Sequence, residues 1–430
     1  MSSRRLNYTD TKKYIKKLDA VIKDRQDKEH MKVAAEHHEI IDHVLQFVRK
    51  RRLMVYGGYA INAVLSSNDK LYKENSTADI DFFSFNARRD ASDLADYIYK
   101  KGYRYVEVRV GIHYETFKLY VNFFPVADIT DIPKQLFKRM QHMAKEERQS
   151  VFRHLHELDI PLAPLTFMRL ALHLELSRPD GYIDRWVKVY QRMTLLYDYY
   201  PIHMKKCIYL QSEKNQRVLQ LRDVILTIVR TLKIPLLGFE AVKTYLKQGG
   251  VKVDPTGILH TSMPLMDVVS LNYKDVASKI KDVLSSYVGE QETINITAHS
   301  PLNLSELLPR HLLLTYVNKK TKERRPLITV YNSRACYSYK MLNGIKYASI
   351  DTILSFMYAW LLADRAYFHT SRIKCLMTIL LHIQYIHLND GNPLFELFEQ
   401  QCYGKQQSLF DLRKRLWNQK KDIVVYRPTA

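Results

Sequence analysis

Glycine and proline are scarce in this chain, 13 and 14 among 430 residues. That excludes collagen-like and low-complexity architectures. Cysteine is scarcer: Cys207, Cys336, Cys375 and Cys402 lie far apart with no C-x-x-C pair. Zinc ribbons, thioredoxin-like motifs and disulfide scaffolds are thereby excluded, and a reducing compartment is expected. No apolar run approaches the roughly 20 residues of a membrane span, and Met1–Ala20 is charged, so neither a membrane segment nor a secretory signal is expected. Acidic residues are also in deficit, 45 against 66 basic ones, for a net charge of +21. Such a surplus favours polyanions, since each neutralised phosphate releases counterions. What the chain does have is a hydrophobic fraction of 46% and 30 tyrosines. The first excludes disorder and, at this length, suggests two or three domains. The second adds stacking surfaces suited to unpaired bases.

From Tyr8 to about Arg52 the apolar spacing is helical. The Glu36–His43 stretch lacks single-face ligand spacing and reads as a solvated helix face. A short apolar run, Leu53-Met54-Val55-Tyr56, ends in Gly57-Gly58, and Tyr59–Leu65 reads as a helix. A polar loop follows, then Ala78-Asp79-Ile80-Asp81-Phe82-Phe83-Ser84. The pattern predicts a helix over Arg89–Lys101 stopped at Gly102, then strands at Arg104–Val110 and Phe117–Asp128, with Pro125 marking an edge or bulge. Helical periodicity resumes from Ile132 to Tyr197, broken at Pro161, Pro164 and Ser177–Gly181. This order argues a mixed sheet-and-helix domain followed by helices.

Asp79 and Asp81 stand two apart on an expected strand, so their carboxylates leave the same face. Two such groups are tolerable where a divalent cation lies between them or water reaches both. Asp128 sits near the end of a later strand between Ala127 and Ile129. Three carboxylates on neighbouring strands can hold two Mg²⁺ ions, which activate a hydroxyl and stabilise a leaving pyrophosphate. Gly57 and Gly58 let backbone approach a phosphate chain where a helix begins. Asp131, before Ile132-Pro133, looks like a turn or helix-cap residue rather than the third ligand. Lys118 and His113 lie near the strands and read as surface residues.

The Gly-Gly, D-x-D and later Asp resemble the nucleotidyltransferase superfamily of polymerase β, although the 20 residues between Gly58 and Asp79 make a longer loop than most members have. Longer strings resemble the poly(A) polymerase catalytic subunits of large DNA viruses. These are Val55–Asn62, Asp79–Ser84 and Val121–Thr130, together with Phe167-Met168-Arg169, Leu174–Gly181 and Arg185-Trp186. The resemblance implies that Asp79, Asp81 and Asp128 are catalytic, metal-binding carboxylates for two Mg²⁺ or Mn²⁺ ions. It implies nucleotide binding at Gly57 and Gly58. The implied activity is template-independent addition of AMP from ATP to the 3′ end of mRNA. RNA and ATP are then the partners, with a second copy or a viral processivity subunit as further candidates and no membrane. The expected location is the host cytoplasm, in viral factories and virions. Arg169, Glu175 and Arg178 match the strings without an assigned role, substrate contact and an ion-paired packing network both being open. A nucleotidyltransferase for another acceptor and a non-catalytic RNA-binding or processivity subunit are the alternatives. The large positive charge argues against a small acceptor, and retention of three carboxylates argues against a relic.

The second half echoes the first. Gly57–Leu65 aligns with Gly238–Leu246, and Asp81–Asn86 with Asp267–Asn272. In the echo Phe239 replaces the second Gly, Leu265 replaces the first Asp, and the third carboxylate falls near Tyr331 or Asn332. One carboxylate cannot bridge two metals, so that copy is expected to be silent. It could pack on the first, complete an RNA channel or form an oligomer face. Further strands are expected at Thr293–Ala298, Leu312–Val317 and Leu327–Tyr331, and a buried helix at Ile350–Tyr367. The fold expected is therefore α+β, two polymerase β-like sheet-and-helix domains, the second degenerate. The segments are a helical 1–52, a catalytic 53–200, a degenerate 201–400 and a basic, mobile tail from 401 to 430. Arg49–Arg52, Lys205-Lys206 and the loop of Lys319, Lys320, Lys322, Arg324 and Arg325 are basic clusters suited to phosphate backbones.

Overall fold

A computed structural model describes residues 8–72, 79–113, 115–152, 159–181, 183–202, 215–251, 263–302, 307–332, 335–406, 408–418 and 424–429. Lys205, Lys206 and Cys207 lie outside them. One long helix, α1 (Tyr8–Arg51), leads in, its last turn carrying Arg49, Lys50 and Arg51 where the helix dipole favours cations. Then come β1 (Met54–Val55), α2 (Gly57–Val64), β2 (Ile80–Ser84), α3 (Ala87–Lys100), β3 (Val106–Val110), β4 (Thr116–Val121) and β5 (Phe124–Asp131), followed by helices α4 (Lys134–Ser150), α5 (Leu165–Leu176) and α6 (Trp186–Tyr199).

The second half runs α7 (Gln216–Leu232), β6 (Leu236–Leu237), α8 (Gly238–Gln248), β7 (Met266–Ser270), α9 (Tyr273–Ser285), β8 (Glu292–His299), β9 (His311–Asn318) and β10 (Arg324–Asn332). It continues through β11 (Tyr337–Leu342), β12 (Ile345–Ala348), α10 (Ile350–Ala363), α11 (Thr370–Ile386), β13 (Cys402–Tyr403), α12 (Leu409–Asn418) and β14 (Val424–Tyr426).

The two sheets share a topology. The first has order β1-β2-β5-β4-β3-β14, and the second contains β6-β7-β10-β9-β8. In each, the two-residue strand is antiparallel to the next, that strand is parallel to a third, and two antiparallel strands complete the set. The alternation that buries one face is plain in β2 and β5: Ile80, Phe82, Ala127 and Ile129 are fully buried under α1 and α3. The opposite face carries the acids.

The halves are fused through a common core. Met54, Phe83, Ile132 and Phe167 from the first belong to the same apolar cluster as Val268, Tyr331, Ile353 and Trp360 from the second. Helix α10 is buried from Ile350 to Leu362. Across its junction with α5, buried His173 sits 2.8 Å from Asp351 through Nδ1 and 2.8 Å from the Tyr197 hydroxyl through Nε2. Two polar partners satisfy a ring that has no solvent.

Four expectations need correction. Phe117–Asp128 is not one strand but the hairpin β4–β5, turned at Asn122 and Phe123, which both have positive φ. Pro125 does mark a bulge, where the β4–β5 register shifts. The tail is not simply loose: Val424–Tyr426 pairs with β3, Tyr426 donates its hydroxyl proton to Asp96 at 2.6 Å, and Arg427 binds Glu107 at 3.0 Å. Cys336 and Cys402 form a disulfide, because β13 pairs with β11 and brings their Cα atoms to 5.2 Å. The spacing of the cysteines therefore says nothing about compartment. Finally, Arg325 is buried and donates to the Met263 carbonyl at 2.6 Å, so it does not join the basic loop.

Candidate active site

Strands β2 and β5 set the site by register alone. Asp81 lies directly opposite Asp128, and Asp79 precedes β2 by one residue. One carboxylate oxygen from each of Asp79, Asp81 and Asp128 falls within 4.8 Å of the others. Across the next pair, Lys118 of β4 faces Asp128 and its Nζ stands 2.7 Å from Oδ1. Lys118 is thus an ion-pair partner in the site and not a bystander, as the strand pattern alone had it. His113 is exposed, within electrostatic reach of Lys118 and Arg185. Asp131 lies further along β5, opposite Ser84, where its Oδ2 accepts from the Ala87 amide at 2.9 Å at the start of α3.

Gly57 and Gly58 open helix α2 beside these acids. Gly57 has φ +70°, and a Cβ there would collide with Asp81 Oδ2. No L-side chain fits both constraints. A Cβ on Gly58 would strike the Tyr72 hydroxyl, which accepts from Arg192 Nη2 at 2.9 Å. Asn62 fixes this neighbour, its Oδ1 accepting from the Leu71 amide at 2.7 Å.

A second set of cations comes from α6 and the turn before it. Arg185, Lys188 and Arg192 recur at helical spacing, and Arg185 acts on Asp81 and Lys188 on Asp79. Arg185 also pairs with Glu175 at 3.3 Å. Lys188 and Arg192 were missed in the sequence and Arg185 matched a string without a role, although the spacing 185, 188, 192 marks one helix face. Two of the other residues left open make contacts within the fold: Arg169 donates to the Leu196 carbonyl at 3.1 Å, and Arg178 to the Tyr337 hydroxyl at 3.3 Å.

The electrostatics are those of a site short of positive charge at its centre. Burial, then Asp128 and Asp79, push the Asp81 carboxyl up to about 8. Burial also raises Asp128, with Lys118 opposing. For Lys118 burial works downward, but Asp128 beside it raises the ammonium overall. One lysine does not offset three converging carboxylates. A divalent cation would, and hard oxygen donors with backbone on one side suit Mg²⁺ or Mn²⁺. The donor set fits such ions, which Asp79, Asp81 and Asp128 would hold. Among the described residues the Glu36–His43 stretch forms no such group.

The degenerate copy repeats the frame without the chemistry. Gly238 has φ +62°, and a Cβ there would collide with Asp267 Oδ2, as at Gly57. Opposite Asp267 the β7–β10 register places Thr329, not Tyr331 or Asn332. The offset came from loop lengths, whereas the ladder counts residues. Opposite Thr329 stands Leu313, where the first half has Lys118. Leu265 and Phe239, both buried, complete the loss.

Residues 42–180 match the family model described as poly(A) polymerase catalytic subunit. The chain is 24% identical over 294 residues to a putative poly(A) polymerase catalytic subunit of Acanthamoeba polyphaga mimivirus, covering 62% of this chain and 47% of that one. It is 30% identical over 176 residues to the corresponding protein of African swine fever virus, isolate Pig/Kenya/KEN-50/1950, covering 39% and 34%. It spans less than half the length of these curated relatives. The crystal structure of the Megavirus polyadenylate synthase matches 100% of this chain and 87% of its own at a TM-score of 0.77 and 21% identity, which shows the fold. With the acids, the glycine pair and both sheets in place, the chain is similar to the viral poly(A) polymerase catalytic subunits over residues 42–180 and shares the fold of the Megavirus polyadenylate synthase over its whole length.

Proposed function

We propose that the chain is a polynucleotide adenylyltransferase that extends the 3′ end of RNA with AMP units from ATP, without a template. The observation that carries this is the convergence of Asp79, Asp81 and Asp128 within 4.8 Å beside the Gly57–Gly58 helix start. The similarity to viral catalytic subunits supports the choice of ATP and RNA.

Two Mg²⁺ or Mn²⁺ ions bound by the acids would acidify the attacking hydroxyl and neutralise the triphosphate. The protein groups do the rest by position and charge. The terminal 3′ oxygen attacks the α-phosphorus, the bond to the β-phosphate oxygen breaks, and pyrophosphate leaves. Amides at the start of α2 offer donors to phosphate oxygens, and the glycines let the chain come close. Arg185, Lys188 and Arg192 line the side from which a triphosphate's charge is met. Lys118 holds Asp128 in line with Asp81 across the strands.

The test is incorporation of each nucleoside triphosphate into an RNA primer with Mg²⁺ or Mn²⁺. AMP addition by the wild-type chain, lost in Asp79→Ala with RNA affinity retained, is the expected result. Undiminished incorporation by that variant would sink the reading. Transfer to a small acceptor in place of RNA would replace it.

A further inference from the structure

The turn between β4 and β5 keeps an aromatic ring where backbone sterics disfavour one. Asn122 and Phe123 lie in the left-handed region at φ +49° and +70°. Asparagine tolerates that conformation, whereas a bulky residue there is strained. Phe123 gains no burial in return: it is 73% exposed, and Phe124 beside it is 51% exposed. Its ring stacks on Tyr105, itself 65% exposed, with centroids 5.4 Å apart and planes at 29°. The mount is rigid. The Asn122 amide donates to the Tyr105 carbonyl at 2.9 Å, and Asn122 Nδ2 donates to Glu36 on α1 at 2.7 Å. A strained, fixed and solvent-facing ring pair adds little to stability, and that is the pattern of a contact site.

We infer that Tyr105 and Phe123 form a stacking platform for an unpaired base of the RNA strand whose end enters the acidic site. The inference rests on the RNA reading above and deepens it. Position supports it: Ala127 of β5 pairs with Ile80, so the hairpin tip projects past the end of the sheet that Asp79 leads into. Phe124 precedes Asp128 by four residues, about 13 Å of strand, a span that a few nucleotides bridge. Exposed rings accept any base, because every base has a π face. The net charge of +21 draws a polyanion to the chain. Two rings are far less surface than a stable dimer buries, which sets RNA ahead of a second copy as occupant.

The experiment measures fluorescence anisotropy of a short labelled oligouridylate with wild type, Phe123→Gly and Tyr105→Ala, alongside thermal melts. Phe123→Gly is expected to bind about tenfold more weakly, the loss of one stacked base. It should melt at the same or a higher temperature, because glycine accepts the turn without strain. The slope of affinity on salt should not change, since no phosphate contact is lost. Unaltered affinity in both variants overturns the platform. So does a fall in particle mass by light scattering on substitution, which assigns the rings to a contact between copies. If wild type neither binds the oligonucleotide nor extends it with ATP, the RNA reading fails and takes the platform with it. If wild type extends RNA and both variants bind it equally well, the platform alone fails.

Discussion

In the first half of the molecule Asp81 faces Asp128 and Lys118 across three strands; in the second, Asp267 faces Thr329 and Leu313 at the same register. Both halves keep a positive-φ glycine pressed against the aspartate that follows it on the next strand. The glycine–aspartate pair survives where no site does. It is therefore part of how the frame closes, a helix start packed on a strand, and the chemistry lies in what surrounds it. Burial makes the same point. Asp81 shares its pocket with two further acids and several cations, while Asp267 is enclosed with the hydroxyls of Thr329 and Tyr331.

The largest expected difference is in turnover. Asp81→Asn should reduce AMP incorporation by at least ~10³-fold, whereas Asp267→Asn should leave it within a few-fold, measured as primer extension under saturating ATP. Equal losses would mean that the second half is not silent. Restoring the missing acids tests the frame from the other side. Leu265→Asp with Thr329→Asp puts two carboxylates into fully packed positions, and the expected cost is several kcal/mol, on the order of 2–7 for each unpaired polar group. Denaturant unfolding reads that cost, and a stable, metal-binding double variant would show that the site was lost only recently in structural terms.

Gly57→Ala and Gly238→Ala should each cost about 1–3 kcal/mol, since each forces a Cβ into the left-handed region against a carboxylate. Only the first should also lower activity; if both do, the halves communicate. Lys118→Leu copies the second half into the first and should slow incorporation about tenfold while retaining RNA affinity, a charge effect of one group. The last comparison concerns pH. Burial raises Asp267 to about 7, above the ~3.9 of an unfolded aspartate. The native state then holds a proton that the unfolded chain has released, so stability falls as pH rises from about 4 to about 7. Asp267→Asn should flatten that slope in melts taken across the window, and an unchanged slope would assign it to other groups.

The parts that were legible in the sequence are those with short-range signatures. D-x-D on a strand fixes two carboxylates on one face by the period of the pleat, and adjacent glycines before a helix mark a close approach. Asp131 is the exception: Ile132-Pro133 suggests a local turn or cap, whereas its carboxylate meets the Ala87 amide at the start of α3, which no local window shows. The hairpin at Asn122–Phe123 was illegible for the converse reason: no Gly, Asn-Gly or Asp-Gly marks the turn, and Phe at positive φ runs against propensity. Lys118 was passed over because nothing local says which strand it will face. The same holds for Arg185, Lys188 and Arg192, whose helical spacing names a common face but not its target.

By itself, then, the sequence determined the α+β class, the strand–helix alternation around the acids, the acid trio's types and the existence of an internal echo. These follow from periodicity, from turn chemistry and from charge, which act over a few residues. Tertiary structure alone decided that Thr329 is the counterpart of Asp128, that Val424–Tyr426 returns to the first sheet, and that Cys336 meets Cys402. Each depends on which strands pair and in what register. That choice is made by the burial of whole faces against each other, a property of the folded assembly that no local window contains.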